Sequence, residues 1–156
     1  MSTLTEAADQ VRRAQRSGRR VVFTNGVFDL LHVGHLRYLQ EARELGDMLV
    51  VGLNSDASTR TIKGDKRPLV QESERAELLL GLRCVDLVVP FDEPTAERLV
   101  DALRPDVYVK GGDYSVDQLP EARIVERYGG EVKVLLQVEG RSTTDLVDTI
   151  RQRFCP

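Results

Sequence analysis

The sequence predicts an α/β fold: a doubly wound parallel sheet with helices on both faces. Three observations carry this. Short apolar runs alternate with longer amphipathic or polar segments along the whole chain. The runs are continuously apolar, as strands buried on both faces of a parallel sheet must be. Strand-then-helix repetition with connections of this length specifies right-handed crossovers in one sheet. At 156 residues the chain has room for one core, and the expected organisation is an N-terminal helix over 1–19 and a single domain over 20–154.

The first predicted element, residues 5–17, is an amphipathic, Arg-rich helix ending at Gly18, and Val21–Thr24 is the first strand. After a glycine turn a helix runs from about Val33 to Leu45, stopped by Gly46. Met48–Leu53 is the second strand. Residues 54–70 read as a polar loop with room for a short helix at its start, and Glu72–Leu82 as a helix. Asp86–Pro90 is the third strand, and the next helix starts near Pro94, a good first-turn residue, and runs to Leu103. Val107–Val109 is the fourth strand, leading into Lys110-Gly111-Gly112-Asp113. A helix around Glu121–Tyr128, a strand over Glu131–Leu136 and a helix from after Arg141 to about Phe154 complete the chain. No repeat or low-complexity segment interrupts it.

Composition narrows the function. A net charge of −3 leaves no overall electrostatic footprint for nucleic acid, so any phosphate binding must come from local cations. No apolar stretch approaches the ~20 residues of a membrane helix, and the polar N-terminus has no secretory core. Cys84 and Cys155 are too few for a disulfide framework or a zinc site, which suits a reducing, cytoplasmic location. Cys84 is expected in the core and Cys155 on a frayed end.

Both histidines of the chain lie in His32-Val33-Gly34-His35, directly after the first strand and its turn. On a helix's first turn residues three apart share a face, so both rings can address one ligand. The helix N-terminus favours an anion there, and Gly34 permits close approach of its backbone. A metal pair would need a third ligand that no motif supplies, and two unrelated structural histidines is the blander alternative. Phosphate handling is the favoured reading. Neither Gly-x-x-x-x-Gly-Lys-Ser/Thr nor Gly-x-Gly-x-x-Gly after the first strand occurs, so P-loop kinases and ordinary dinucleotide dehydrogenases lose ground.

Three further groups bear on the site. Gly140-Arg141-Ser142-Thr143-Thr144 precedes the last helix. Ser142 and Asp145 fit a capping box, while the N–H groups and hydroxyls of Ser142, Thr143 and Thr144, with Arg141, suit β- and γ-phosphates. Lys63-Gly64-Asp65-Lys66-Arg67-Pro68 is either a solvated turn or a cationic loop able to close over phosphates. Lys110-Gly111-Gly112-Asp113 is a tight turn at the end of the fourth strand, which would face the first strand's turn if those strands are neighbours. Asp29 and Asp56, near strand ends, are candidate ligands for acceptor hydroxyls, and Arg75 reads as a surface residue.

Thr24-Asn25-Gly26-Val27-Phe28-Asp29-Leu30-Leu31-His32-Val33-Gly34-His35, taken with Arg141-Ser142-Thr143-Thr144, resembles the signature of the HxGH nucleotidyltransferases over about residues 20–150. The resemblance implies a Rossmann-like five-stranded parallel sheet in the order 3-2-1-4-5. It also implies transfer of a nucleotidyl group, with Mg²⁺ arriving on the nucleoside triphosphate and no metal site belonging to the protein. Carried onto this sequence, it makes His32, His35 and Lys63 catalytic. Nucleotide binding falls to Asn25, Gly26, Val27, Phe28, Gly34, Lys110, Gly111, Gly112, Asp113, Arg141, Ser142, Thr143 and Thr144. Asp56, with Asp29, falls in the acceptor pocket.

Asn25-Gly26-Val27-Phe28-Asp29, Val109–Tyr114 and Val138–Thr144 are most similar to the branch that adenylylates heptose 1-phosphate with ATP. In many bacteria that activity is the C-terminal half of a fusion with a sugar kinase. This chain reads as the transferase half alone, which implies a separate kinase, and the family resemblance implies a homodimer. Val27 replaces the threonine usual in glycerol-3-phosphate cytidylyltransferases, which disfavours that alternative. FMN adenylyltransferases share the fold and motif but differ in the acceptor pocket. A non-catalytic nucleotide sensor would tolerate loss of the histidines that this chain keeps.

Overall fold

The computed structural model describes residues 1–112, 115–135 and 143–155. Five strands, β1 (Val21–Gly26), β2 (Met48–Asn54), β3 (Leu87–Phe91), β4 (Val107–Gly111) and β5 (Glu131–Leu135), form one sheet in the order β3-β2-β1-β4-β5. Every pairing is parallel. The helices are α1 (Leu4–Arg16), α2 (Val33–Glu44), α3 (Asp56–Lys63), α4 (Glu72–Leu80), α5 (Glu97–Leu103), α6 (Ala122–Arg127) and α7 (Thr143–Phe154). A 3₁₀ turn over Val116–Gln118 precedes α6.

Alternate strand residues feed two cores. Val21, Phe23, Val50, Val89 and Tyr108 point to the face covered by α1, α5 and α6. Val22, Leu49, Val51, Leu53, Val88, Val107 and Val109 point to the face covered by α2 and α4. Helix α1 is built into the first core: Ala7 and Val11 are fully buried, and a Thr3–Glu6 capping box fixes its start. In the apolar segment 78–89, Leu79, Val85, Leu87, Val88 and Val89 are core, while Leu78 and Leu80 are exposed. Cys84 is half-buried against the second core and Cys155 is exposed.

The strand order reverses between β1 and β4, and that reversal positions the site. β1 pairs with β2 along its full length, but with β4 only from Val22↔Val107 to Thr24↔Val109. Beyond Thr24 and Val109 the two strands part and open a crevice at their carboxyl ends.

Three expectations need correction. Lys63 is not on a loop but is the last residue of α3. Ser55 caps that helix by accepting the Ser58 N–H, and Gly64, at φ +92, ends it. Helix α5 starts at Glu97 rather than near Pro94, which leaves Pro94 in the wall of the crevice. Arg75 is not at the surface but fully buried, because the inward stripe of α4 is Arg75, Ala76 and Leu79. Leu136, at the expected end of the last strand, lies outside the described residues.

Candidate active site

The crevice has two adjoining lobes of about 320 and 550 Å³. They share a wall made by the β1–α2 turn, His35, Lys63, Lys110 and the start of α7. His32 and Tyr38 belong to the first lobe. Asp29, Asn54, Ile62 and Arg67 belong to the second.

The β1–α2 turn is shaped by a close approach. A Cβ on Gly26 would lie 3.0 Å from the Phe28 ring, and Phe28 itself adopts φ +49. A large residue rarely adopts that left-handed conformation. It brings the Phe28 ring edge-on to His35, with centroids 5.3 Å apart.

His32 caps α2: its Nδ1 accepts the Gly34 N–H at 3.1 Å. In the neutral ring the proton therefore sits on Nε2, which makes that nitrogen a donor. The His32 and His35 rings stack, centroids 3.9 Å apart and planes 26° from parallel. Burial, reinforced by the neighbouring His32, lowers the His35 pKa to about 4. Its Nδ1 is buried without a well-formed hydrogen bond, and the Leu30 carbonyl is the backbone group that favours its protonated form.

Helix α7 brings its N-terminus to the same crevice. Thr143 and Thr144 line both lobes, and Thr143 Oγ1 donates to the Leu30 carbonyl at 3.5 Å. Two helix N-termini, those of α2 and α7, thus open onto one cavity, which favours an anion there. Lys63 and Lys110 line both lobes. The Lys110 ammonium lies 3.5 Å from Asn25 Oδ1, and burial lowers its pKa while Glu121 opposes the shift.

Two tyrosines fill the gap where β1 and β4 part. Tyr38 OH donates to the Val109 carbonyl at 3.2 Å, which leaves the Thr24 hydroxyl, 2.5 Å away, to donate to it. Its ring lies over Gly111, where an added Cβ would stand 2.9 Å from it. From the other face, Tyr108 OH donates to Asn25 Oδ1 at 2.9 Å.

The two candidate acidic residues both carry partners. Asp29 Oδ2 accepts from Arg67 Nη1 at 2.7 Å, and Oδ1 accepts from the N–H groups of Leu69 and Val70. Asp56 Oδ1 accepts from Arg75 Nη2 at 2.7 Å. Asp29 reaches the second lobe already engaged in holding the α3–α4 loop. Among the described residues no group of three or more His, Cys, Asp or Glu could hold a metal ion.

The structure thus brings Asn25, Gly26, Val27, Phe28, His32, Gly34, His35, Lys63, Lys110, Gly111, Thr143 and Thr144 to one cavity. Gly112, at φ +135, continues the chain past Gly111, and its N–H donates to the Leu135 carbonyl. Asp113, Arg141 and Ser142 lie outside the described residues, as does the expected Ser142–Asp145 capping box. Sequence reading missed Tyr38, Tyr108, Glu121 and the structural part played by Arg75. For Arg75 a signal existed: its spacing to Leu79 puts it on the buried stripe of α4.

Comparison with known proteins bears on the family and the fold. Residues 23–148 match the family described as Cytidylyltransferase-like. The bifunctional protein HldE of Syntrophotalea carbinolica is 55% identical over 146 residues, which cover 94% of this chain and 30% of that protein. HldE of Geobacter sulfurreducens is 51% identical over 99% of this chain and 31% of its own length. The chain thus spans about a third of the length of these relatives.

Among solved structures, the lipopolysaccharide core biosynthesis protein of Thermoplasma volcanium superposes with a TM-score of 0.63 at 30% identity, covering 80% of this chain and all of that one. Pantothenate synthetase of Thermus thermophilus, at 21% identity and a TM-score of 0.61, covers 88% of this chain and 61% of that one, and shares the fold. The chain belongs to the cytidylyltransferase-like family and is a nucleotidyltransferase domain.

Proposed function

We propose that the domain transfers AMP from ATP to the phosphate of a heptose 1-phosphate, giving ADP-heptose and pyrophosphate. The observation that carries the reading is the convergence of two helix N-termini, two stacked histidines and two lysines on one two-lobed crevice. One lobe suits a triphosphate and the other an acceptor that is itself an anion. The HldE relatives, and the resemblance of the flanking motifs to heptose 1-phosphate adenylyltransferases, support the choice of nucleotide and sugar.

An acceptor phosphate oxygen attacks the α-phosphorus. The new P–O bond forms as the bond to the oxygen bridging the β-phosphorus breaks, and the electron pair leaves on pyrophosphate. The attacking group is already anionic, so no protein base is needed, and catalysis rests on alignment and charge stabilisation. His32 Nε2–H and the His35 ring stabilise the charge that grows on the α-phosphate. Lys63, the α7 N-terminus with Thr143 and Thr144, and residues Arg141 and Ser142 ahead of it hold the leaving pyrophosphate. Mg²⁺ enters as part of the MgATP substrate. Asn25, Gly26, Lys110 and the following glycines and Asp113 border the nucleoside.

No helix among the described residues is long and apolar enough to cross a membrane. We assign the domain to the cytoplasm, where the free Cys84 and Cys155 stay reduced. A sugar kinase activity supplies the phosphorylated sugar. The working unit is a homodimer, in keeping with the exposed Leu146, Ile150 and Phe154 of α7, and sedimentation velocity checks it.

The test is pyrophosphate release with Mg²⁺, each nucleoside triphosphate and a panel of phosphorylated acceptors. Turnover with ATP and a heptose 1-phosphate supports the reading. Turnover confined to CTP and glycerol 3-phosphate, or to ATP and FMN, overturns the acceptor assignment. Tight nucleotide binding without turnover on any pair overturns the enzyme reading in favour of a sensor.

A further inference from the structure

Arg75 is the largest fully buried side chain among the described residues. Four of its five N–H groups are satisfied. Nε donates to the Val70 carbonyl at 2.9 Å. Nη1 donates to the carbonyls of Val27 at 2.6 Å and Asn54 at 2.9 Å. Nη2 donates to Asp56 Oδ1 at 2.7 Å. A guanidinium is the one side chain able to serve four acceptors in a single plane.

What it joins decides its meaning. Val27 belongs to the β1–α2 turn, Asn54 ends β2, and both line the larger lobe. Asp56 opens α3, whose last residue is Lys63. Val70 closes the α3–α4 loop that carries Arg67, and the Val70 N–H is itself held by Asp29. One buried cation thus ties together the three segments that surround the acceptor lobe.

Stability alone gives little reason for a charge there. Desolvating an ion pair is costly, and apolar residues of similar volume commonly do as well or better. A group that fixes three backbone carbonyls at defined positions does something an apolar residue cannot do.

We infer that Arg75 is a positioning residue of the transfer reaction, setting the acceptor lobe through Val27, Asn54, Asp56 and Val70 without touching substrate. The inference rests on the nucleotidyl-transfer function proposed for the domain. It adds that acceptor placement, more than nucleotide binding, depends on this one side chain.

The test compares Arg75→Met and Arg75→Lys with wild type and with Leu103→Ala, a cavity variant in the opposite core. Kinetics at saturating ATP give kcat and the acceptor KM, and calorimetry gives ATP affinity. Amide exchange is followed at residues 27–29, 54–56 and 69–71. Misplacement of a reacting group by about 1 Å costs on the order of 100-fold in rate. The expected result for Arg75→Met is therefore a loss of about 100-fold in acceptor kcat/KM, with ATP affinity within about threefold of wild type. Exchange rises at those amides, and Leu103→Ala at matched Tm shows neither effect.

Arg75→Lys, with one nitrogen where Arg75 has three, should recover little. Should Arg75→Met fail to fold, Asp56→Asn, at a partly exposed partner, decides by the same readouts. Unchanged acceptor kcat/KM in a folded variant, or an equal loss in Leu103→Ala, overturns the inference. If wild type transfers to no acceptor, the functional reading fails. The exchange comparison then still decides whether Arg75 holds these segments: unchanged exchange at all of them overturns the positioning role.

Discussion

Asp29 and Arg67 form an ion pair, 2.7 Å between Oδ2 and Nη1, in which the carboxylate is 5% and the guanidinium 20% exposed. The other oxygen of Asp29 accepts the N–H groups of Leu69 and Val70, so a single carboxylate within the β1–α2 turn anchors the α3–α4 loop by three hydrogen bonds. The loop that reads in sequence as a solvated turn or a cationic loop able to close is tethered to the β1–α2 turn. Arg67 faces the larger lobe from that tether.

Asp29→Asn keeps the shape but discards the charge, and the new amide can accept on only one of its two polar atoms. Hydrogen bonds to charged groups contribute roughly 1.5–3 kcal/mol each, so a net loss of about 2–3 kcal/mol in unfolding free energy is expected. Urea denaturation measures it. A variant within about 0.5 kcal/mol of wild type would show that the tether is energetically idle.

Gly111 has a steric duty toward Tyr38. An added Cβ would meet the Tyr38 ring at 2.9 Å, and the ring cannot retreat because its hydroxyl is held by Thr24 and the Val109 carbonyl. Gly111→Ala should therefore push Tyr38 toward the first lobe, costing about 1–3 kcal/mol, the usual range for overpacking. Calorimetric ATP titration and thermal denaturation are the measurements. Unchanged affinity and Tm together would mean that the ring has room that the packing denies.

How much of this was legible in the sequence depends on the kind of interaction. Strand and helix order follows from apolar periodicity, which is local, and the histidine pair follows from its place after β1. The partners of buried charges are not local. Arg75 reaches Val27, 48 residues away, and Asp29 reaches Val70, 41 residues away. No spacing rule predicts such pairings. A charged residue read one at a time looks exposed, because desolvation makes burial costly unless a partner is present. The error on Arg75 has that cause, and the partners of Asp29 and Asp56 escape a sequence reading for the same reason. Lys63 was misplaced for a smaller reason: the mostly polar run between Ser55 and Gly64 carries little apolar periodicity, and the cap decides the helix.

His35→Ala separates chemistry from binding. If the ring acts mainly on charge that develops during transfer, kcat should fall by about 100- to 1000-fold while ATP affinity changes by less than about tenfold. Steady-state kinetics with calorimetric titration on the same preparation tests it. Equal losses in both would make His35 a ground-state ligand, and an unfolded variant would return it to the core it shares with Phe28.

The same histidine gives the protein a pH dependence whose direction is fixed. In the folded chain burial holds the His35 pKa near 4, against an ordinary value of 6.5. Between these values the unfolded chain binds a proton that the folded chain refuses, so stability must rise with pH across that window. The contribution is fully present above about 6.5 and is lost as pH falls toward 4. With the ring in partial contact with solvent the effect is about 1–2 kcal/mol, less than the full shift would give. Urea unfolding of wild type and His35→Gln at about pH 7.5 and about pH 5 isolates it. The wild type should lose more stability than the variant by about that amount, and identical pH slopes would show that His35 titrates normally. Bound triphosphate brings negative charge to the ring and should raise its pKa. ATP binding below neutrality should then take up a proton, seen as a buffer-dependent heat that His35→Gln lacks.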